Sequence, residues 1–312
     1  MMRKFYCIIM SLLESVKLQS AGTTIISKAF FLANYILISK LENMILKIMP
    51  WDKCALVSYT GDEDKICVSL TTFPARIEQV AYSIKSLMLQ SQLPHSIELW
   101  LAQSQFPNHK LPKQLEYLVS RGLKIRYGDD LRSHKKYYYA LQAQRPNELV
   151  ITVDDDIIYH PDTIARLLRR HKEVPDAIIC SLAHTVTFDE KGNITPYSQW
   201  LTTPDNAADN PNNMPLTGSG CLYPYGVMRA DTFSIEKIKA IAPTADDLWI
   251  GAMSKLSGVK IITTSKVAKT FTVVSASQSE HLGEINCIKN ENDRTMERLI
   301  DNYPLLLKVL QQ

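Results

Sequence analysis

The sequence predicts an α/β fold in which a mostly parallel sheet is covered by helices on both faces. Two observations carry this. From Lys65 onward, short β-branched apolar runs alternate with stretches of helical periodicity, at the spacing of strand–helix–strand units. The 312 residues are also 46% apolar and 21% charged, an ordinary globular balance with enough apolar content for a large core. With 35 Lys+Arg against 32 Asp+Glu, the formal charge is only +3 and no basic stripe is present, which excludes a dedicated nucleic-acid binder.

The first fifty residues differ from the rest. Apolar runs span Phe5–Leu13 and Ile25–Ile38, but each is shorter than the roughly 20 residues a spanning helix needs, and Lys28 interrupts the second. Arg3 and Lys4 precede the first run in the manner of a signal peptide; however, Glu14 and Lys17 end it and no small-residue cleavage site follows. Six basic residues (Arg3, Lys4, Lys17, Lys28, Lys40, Lys47) stand against Glu14 and Glu42. Two readings fit: a basic, apolar helical pair lying on an anionic membrane surface, or a pair packed on the rest of the chain or on a second copy as a homodimer. Residues 51–64 read as a linker ending in an acidic turn.

The alternation then unfolds in order. Lys65–Thr71 reads as a buried strand. A helix follows Pro74, with Ile77, Val80, Ala81, Ile84, Leu87 and Met88 on one face. Ser96–Ala102 is the second strand, Leu111–Ser120 a helix, Leu123–Tyr127 the third strand and His134–Gln144 a helix. Glu148–Val153 is the fourth strand, Pro161 opens another helix, and Ala177–Leu182 is the fifth strand. The six cysteines show no CxxC pairing and no zinc-finger spacing, so they read as reduced and structural, as in a cytoplasmic protein.

In such sheets ligands bind beyond the carboxyl ends of the strands. Three segments meet that criterion: Thr71–Arg76, Asp154-Asp155-Asp156, and the helix start Pro243–Trp249. Neither GxGxxG nor GxxxxGK[ST] is present, which argues against a dinucleotide oxidoreductase and a P-loop NTPase. Three adjacent carboxylates at a strand end repel one another, and a divalent cation is the usual remedy; Mg²⁺ or Mn²⁺ takes one or two carboxylates plus water and phosphate oxygens. On extended backbone, Asp154 and Asp156 project to the same side. The alternative is an acidic turn capping the next helix.

At this point the chain resembles a family. SLTTFPARI (69–77), SLMLQSQLP (86–94), HKKYYYAL (134–141), ITVDDDIIYHPD (151–162), GSGCLYPYG (218–226) and APTADDLWIGAM (242–253) resemble, in order, the motifs of GT-A-fold bacterial glycosyltransferases of surface-polysaccharide synthesis, such as lipopolysaccharide and capsule. The resemblance implies that Asp154 and Asp156 hold Mn²⁺ or Mg²⁺ and the diphosphate of a nucleotide sugar, UDP-linked, with Asp155 orienting the sugar. It further implies that Thr71, Thr72 and Arg76 border the nucleotide, and that Lys135 or Lys136 reaches it unless both lie on a solvated helix face.

Asp246 and Asp247 resemble the acidic pair that serves such enzymes, with Asp247 the base of an inverting transfer and Asp246 binding the acceptor; Thr244-x-x-Asp247 also reads as a capping box. Gly218 and Gly220 would let backbone approach the sugar or simply form a turn, Trp249 would line the acceptor site or join Leu248, Ala252, Met253 and Leu256 on the buried face of its helix, and Trp200 would stack a sugar or pack in the core. The polar stretch 202–217 reads as a mobile lid, and His281 as a further metal ligand or a surface residue.

The expected organisation is therefore a helical extension over 1–50, a linker over 51–64, a catalytic domain over 65–275 and a helical tail over 276–312. The expected partners are a nucleotide-sugar donor and a glycan or lipid-linked glycan acceptor, with the chain on the inner face of the cytoplasmic membrane. Two rivals remain: a haloacid-dehalogenase-like phosphotransferase, whose Asp-x-Asp usually follows its first strand rather than a mid-chain one, and a non-catalytic membrane-associated scaffold.

Overall fold

The computed structural model describes residues 2–19, 25–58, 64–203, 209–264, 271–274 and 290–311. Helices α1 (Met2–Gln19) and α2 (Ile25–Ile48) precede the alternating body. That body runs β1 (Lys65–Thr71), α3 (Val80–Met88), β2 (Ser96–Ala102), α4 (Lys113–Ser120), β3 (Lys124–Gly128), α5 (Lys135–Ala143) and β4 (Glu148–Thr152). It continues with β5 (Ile157–Ile158), α6 (Thr163–Glu173), β6 (Ile178–Cys180), β7 (Ala183–Thr185), β8 (Leu201–Thr203), β9 (Asn213–Pro215) and β10 (Cys221–Tyr223). The chain then forms α7 (Ile235–Ile241), α8 (Asp246–Leu256), β11 (Ile261–Thr263), β12 (Thr272–Val273), α9 (Glu291–Asn302) and α10 (Leu305–Leu310).

A seven-stranded sheet has the order β11-β6-β10-β4-β1-β2-β3. It is parallel throughout except for β10, which runs antiparallel to both β4 and β6. The predicted mixed, mostly parallel sheet flanked by helices, with an N-terminal helical region, is therefore what the chain forms. Alternate residues feed opposite cores, as the period of two requires. Ile179, Leu222 and Ile262 join α3, α4 and α6 on one face, while Ile178, Cys221, Tyr223 and Ile261 join α5 and α8 on the other.

This strand order places a switch point beside β1. Successive strands step outward from β1 through β2 to β3, and the chain then returns to lay β4 on the other side of β1. A crevice opens at the carboxyl ends of two such diverging strands, and here those ends are Thr71–Thr72 and Asp154–Asp156. The antiparallel β10 was not foreseen. It pairs Cys221 with Thr152, so the turn before it lies against the end of β4 and brings Gly218 to the aspartates.

Three of the expected segments take definite form. Within residues 51–58, Asp52, Lys53, Val57 and Ser58 are exposed, while Cys54 is fully buried in the core and its carbonyl accepts from Arg121. The polar stretch read as a lid has strands at its flanks, since β8 and β9 pair on either side of β7 and Met214 is buried; residues 204–208 lie outside the described set. The C-terminal helices share a core with α8 through Met296, Leu299, Leu306 and Leu310. Five described cysteines are free thiols, and Cys287 lies outside the described residues.

Candidate active site

The aspartate triplet does not stay extended. A turn at Asp155–Asp156 splits the three carboxylates between two cations. Arg76, from the short helical turn after β1, donates to Asp155 Oδ1 and Asp156 Oδ2, both at 2.9 Å. Thr72 Oγ1 donates to the other oxygen of Asp155 at 2.5 Å, and Ser83 to its backbone carbonyl. Asp155 is thus a buried anchor between β1, α3 and the triplet. Burial raises its pKa to about 6, although the Arg76 charge works against that rise. Thr71 lies at the same strand end but is committed to β2, its hydroxyl donating to the Trp100 carbonyl at 2.8 Å.

Asp154 turns the other way. Its Oδ1 accepts from Lys136 Nζ at 2.6 Å, and the same ammonium lies 2.9 Å from Asp246 Oδ2. Lys136 is 2% exposed and therefore does not sit on a solvated helix face. It joins the two acidic motifs directly. Burial alone would lower its pKa, but Asp154 and Asp246 hold it well above lysine's usual range. Lys135 is equally buried but points elsewhere, donating to Asp130 Oδ1 and the Arg132 carbonyl, so of the two lysines only Lys136 pairs with the site's carboxylates.

The second pair is held by Thr217, a residue the sequence reading passed over although it immediately precedes Gly218. Its N–H donates to Asp247 Oδ1 at 2.7 Å, and its hydroxyl lies 2.5 Å from that oxygen and 2.9 Å from Asp246 Oδ2, donating to one at a time. Thr217 is itself fixed to β4, its carbonyl accepting from Thr152 Oγ1. Helix α8 begins at Asp246 with Ala245 at its N-cap and no side-chain cap, so the expected Thr244–Asp247 capping box is not what holds Asp247.

The two neighbours titrate in opposite directions. Burial would raise Asp246, but the Lys136 ammonium outweighs it and holds the carboxyl well below the usual range. Burial, reinforced by ionised Asp246, raises Asp247 to about 7. His134 is also new to the site. Its Nε2–H donates to the Ala242 carbonyl at 2.7 Å and Nδ1 accepts from Tyr137 Oη, which, with burial lowering its pKa to about 4, keeps the ring neutral. Tyr159 completes the floor, accepting from the Asp154 N–H and donating to the Gly218 carbonyl at 2.6 Å.

Gly218 is required by contact. A Cβ there would lie 1.7 Å from Asp154 Oδ2, so only glycine leaves room for the carboxylate. We expect Gly218→Ala to push Asp154 off Lys136 and to cost about 1–3 kcal/mol, read as a lower urea midpoint; an unchanged midpoint would show that the turn yields freely.

Two expected sugar-site residues are corrected. Gly220, at φ +97°, backs onto Ser181 and Thr163 of the structural layer, so it serves the turn into β10. Trp249 is fully buried, its indole N–H donating to the Thr232 carbonyl, so its ring packs the core behind the site and offers no face to a sugar. Trp200 is also buried, donating to the Thr195 carbonyl. His281 lies outside the described residues.

Arg76 and Lys136 already offset much of the triplet's charge, so crowding alone does not demand a cation. The donor set nevertheless fits one. Asp154 keeps 42% of its side chain exposed and Asp156 17%, both offer hard oxygen ligands, and the missing Cβ at Gly218 leaves Asp154 Oδ2 a cradle. No group of three or more metal-ligating side chains occurs among the described residues.

No family model matches the chain, and no curated protein does. Among solved structures, a mannosyltransferase from Pyrobaculum calidifontis in complex with GDP-mannose and Mn²⁺ is similar over 98% of this chain and 84% of its own, at 12% identity and a TM-score of 0.40. A 4-diphosphocytidyl-2C-methyl-D-erythritol synthase from Anaerococcus prevotii DSM 20548 is similar over 65% of this chain and 90% of its own, at 12% identity and a TM-score of 0.37. Likeness at that level carries no chemistry, which rests on the site itself.

Proposed function

We propose that this chain is a metal-dependent glycosyltransferase of the GT-A type, moving a sugar from a nucleotide donor to a hydroxyl of a glycan. One observation carries the reading: a buried lysine couples the strand-end aspartates to a second carboxylate pair in which Asp247 is raised to about 7 and Asp246 stays ionised. A group poised near neutral pH beside a permanently charged neighbour is what a general base needs. The position of the cluster, at the switch point of the sheet, supports a ligand site there.

Asp154 and Asp156 would hold Mn²⁺ or Mg²⁺, which neutralises charge on the departing diphosphate when bound. Arg76, which pairs with Asp155 and Asp156, would meet phosphate oxygens once the donor competes for it. The acceptor oxygen attacks the anomeric carbon, its proton passes to Asp247, and the bond from that carbon to the diphosphate breaks. The result is inversion, with a nucleoside diphosphate released. Lys136 keeps Asp246 charged throughout, so Asp246 can orient the acceptor while Asp247 takes the proton. In this reading the donor is a UDP-sugar and the acceptor a glycan or lipid-linked glycan of a bacterial surface polysaccharide, made on the cytoplasmic side.

Calorimetric titration with UDP and GDP, with and without Mn²⁺, tests this. We expect a nucleoside diphosphate to bind only with metal, and Asp156→Ala to lose at least tenfold in that affinity. Failure of every nucleoside diphosphate to bind would sink the transferase reading, and turnover of a simple phosphate ester in its place would favour the phosphotransferase.

A further inference from the structure

The helical pair α1–α2 packs on the body through one set of residues and leaves another uncovered. Inward, Tyr6, Met10, Leu46 and Met49 form a core with Leu89, Ile158 and Val274. The acidic residues of the two helices are turned inward as well. Glu14 takes a two-pronged ion pair from Arg166 at 2.5 and 2.7 Å, and Glu42 accepts from Lys17 at 2.6 Å, with Lys17 also donating to Thr272 at 2.7 Å.

The outward side is the reverse. Phe5, Ile8 and Leu12, at helical spacing on α1, are each 60–62% exposed, and Leu37, Met44 and Ile48 on α2 are 52–71% exposed. Lys4, Lys40 and Lys47 lie exposed among them and form no ion pair among the described residues. The fold has therefore sorted the charges, leaving the exposed sides of the two helices apolar and cationic, with no carboxylate of either helix on them. No helix among the described residues is long and apolar enough to cross a membrane.

We propose that this face docks on an anionic phospholipid surface. The apolar stripes would enter the headgroup boundary while the lysines meet lipid phosphates. Charge selects this occupant over a second copy. Two-fold packing of the face on itself would set lysines against lysines with no carboxylate of α1 or α2 opposite them, a repulsive arrangement. Docking would hold the cleft of the proposed transferase near a lipid-borne acceptor, but it rests on the helices alone and not on that chemistry.

The test is sedimentation of the full chain with vesicles of phosphatidylglycerol and phosphatidylcholine in equal parts, against vesicles of phosphatidylcholine alone. We expect binding to the anionic vesicles, release on raising salt, and little binding to neutral ones. Lys40→Gln/Lys47→Gln should weaken partitioning roughly 25-fold, at about fivefold per lysine. Ile8→Glu/Leu12→Glu should abolish it while far-ultraviolet circular dichroism and nucleoside-diphosphate binding stay unchanged, and the lysine variant keeps the test decisive if the apolar variant misfolds. The proposal is overturned if the chain stays in solution with anionic vesicles. It is equally overturned if the lipid-free chain is a dimer by light scattering that Ile8→Glu/Leu12→Glu dissociates.

Discussion

Asp247→Asn is expected to abolish transfer while making the protein more stable at alkaline pH. On activity, loss of a general base lowers the rate by roughly 10²- to 10⁴-fold. Donor affinity should stay within about twofold, because Asp247 is held by Thr217 rather than by the Asp154–Asp156 cluster. Release of nucleoside diphosphate in the presence of acceptor gives the first quantity, and calorimetry the second. The wild-type rate should climb with pH through about 7 and then level off, as the raised carboxyl gives up its proton. Unchanged turnover in the variant would remove Asp247 as the base.

The stability half of that prediction follows from linkage. Asp247 ionises near 4 in the unfolded chain and at about 7 in the folded one. Between those values the folded state holds a proton that the unfolded state has released, so stability falls as pH rises through that window. Asparagine carries no charge to desolvate, and its carbonyl oxygen can still accept from Thr217. The variant should therefore gain on the order of 1–3 kcal/mol over wild type at pH 8, with the gain mostly gone by about pH 4 and absent about a unit lower, where aspartate is itself neutral in both states. Thermal melts at the two pH values decide it, and an equal or lower melting temperature at pH 8 would show that Asp247 is not strained by its setting.

Lys136→Met is expected to be the most destabilising single change in the site. Methionine fills much of the same volume, but it leaves Asp246 buried without its cation and frees Asp154 from its only ion pair among the described residues. Breaking one side of a buried pair typically costs about 3–5 kcal/mol, a large part of the 5–15 kcal/mol that holds an ordinary domain together. The sign with pH is opposite to that of Asp247. Asp246 is held below its ordinary value in the wild type, so its contribution is present above the unfolded pKa and fades as pH falls. The variant should thus lose most at pH 8 and least near pH 4, where protonation relieves the stranded carboxylate. Urea unfolding at both pH values measures this. Adding Asp246→Asn to Lys136→Met should recover much of the loss at pH 8, and strict additivity of the two changes would show that the pair is not coupled.

Much of this architecture is legible in the linear pattern, and particular residues show why. Strand β1 was readable because Lys65–Thr71 is a β-branched apolar run, and helix α3 because its apolar residues recur at the helical period; both signals are local. Strand β10 gave no such signal. Cys221–Tyr223 is three residues long and follows a glycine turn, and it is a strand because β4 and β6 offer it hydrogen-bonding edges on both sides. The acidic motifs were visible as composition, but their environments were not. A same-side Asp154–Asp156 pair assumed extended backbone, and the turn that Arg76 stabilises sends Asp154 to Lys136 instead. Trp249 sits next to the aspartates in sequence and so is a candidate both for the acceptor site and for the buried helix face; the first turn of α8 carries the aspartates on one side and buries the indole on the other.

The sequence by itself determined the strand–helix alternation from Lys65 to Leu182, the placement of two acidic motifs at strand and helix ends, and the basic, apolar character of the first fifty residues. These depend on periodicity and composition over short windows. Only the tertiary structure decided which charges are neutralised and which remain in play: Lys136 between Asp154 and Asp246, Asp247 strained toward neutrality, and Glu14 and Glu42 turned inward while Lys4, Lys40 and Lys47 face out. The physical reason is that desolvation and ion pairing depend on what a group is buried beside, and those neighbours come from segments far apart in the chain.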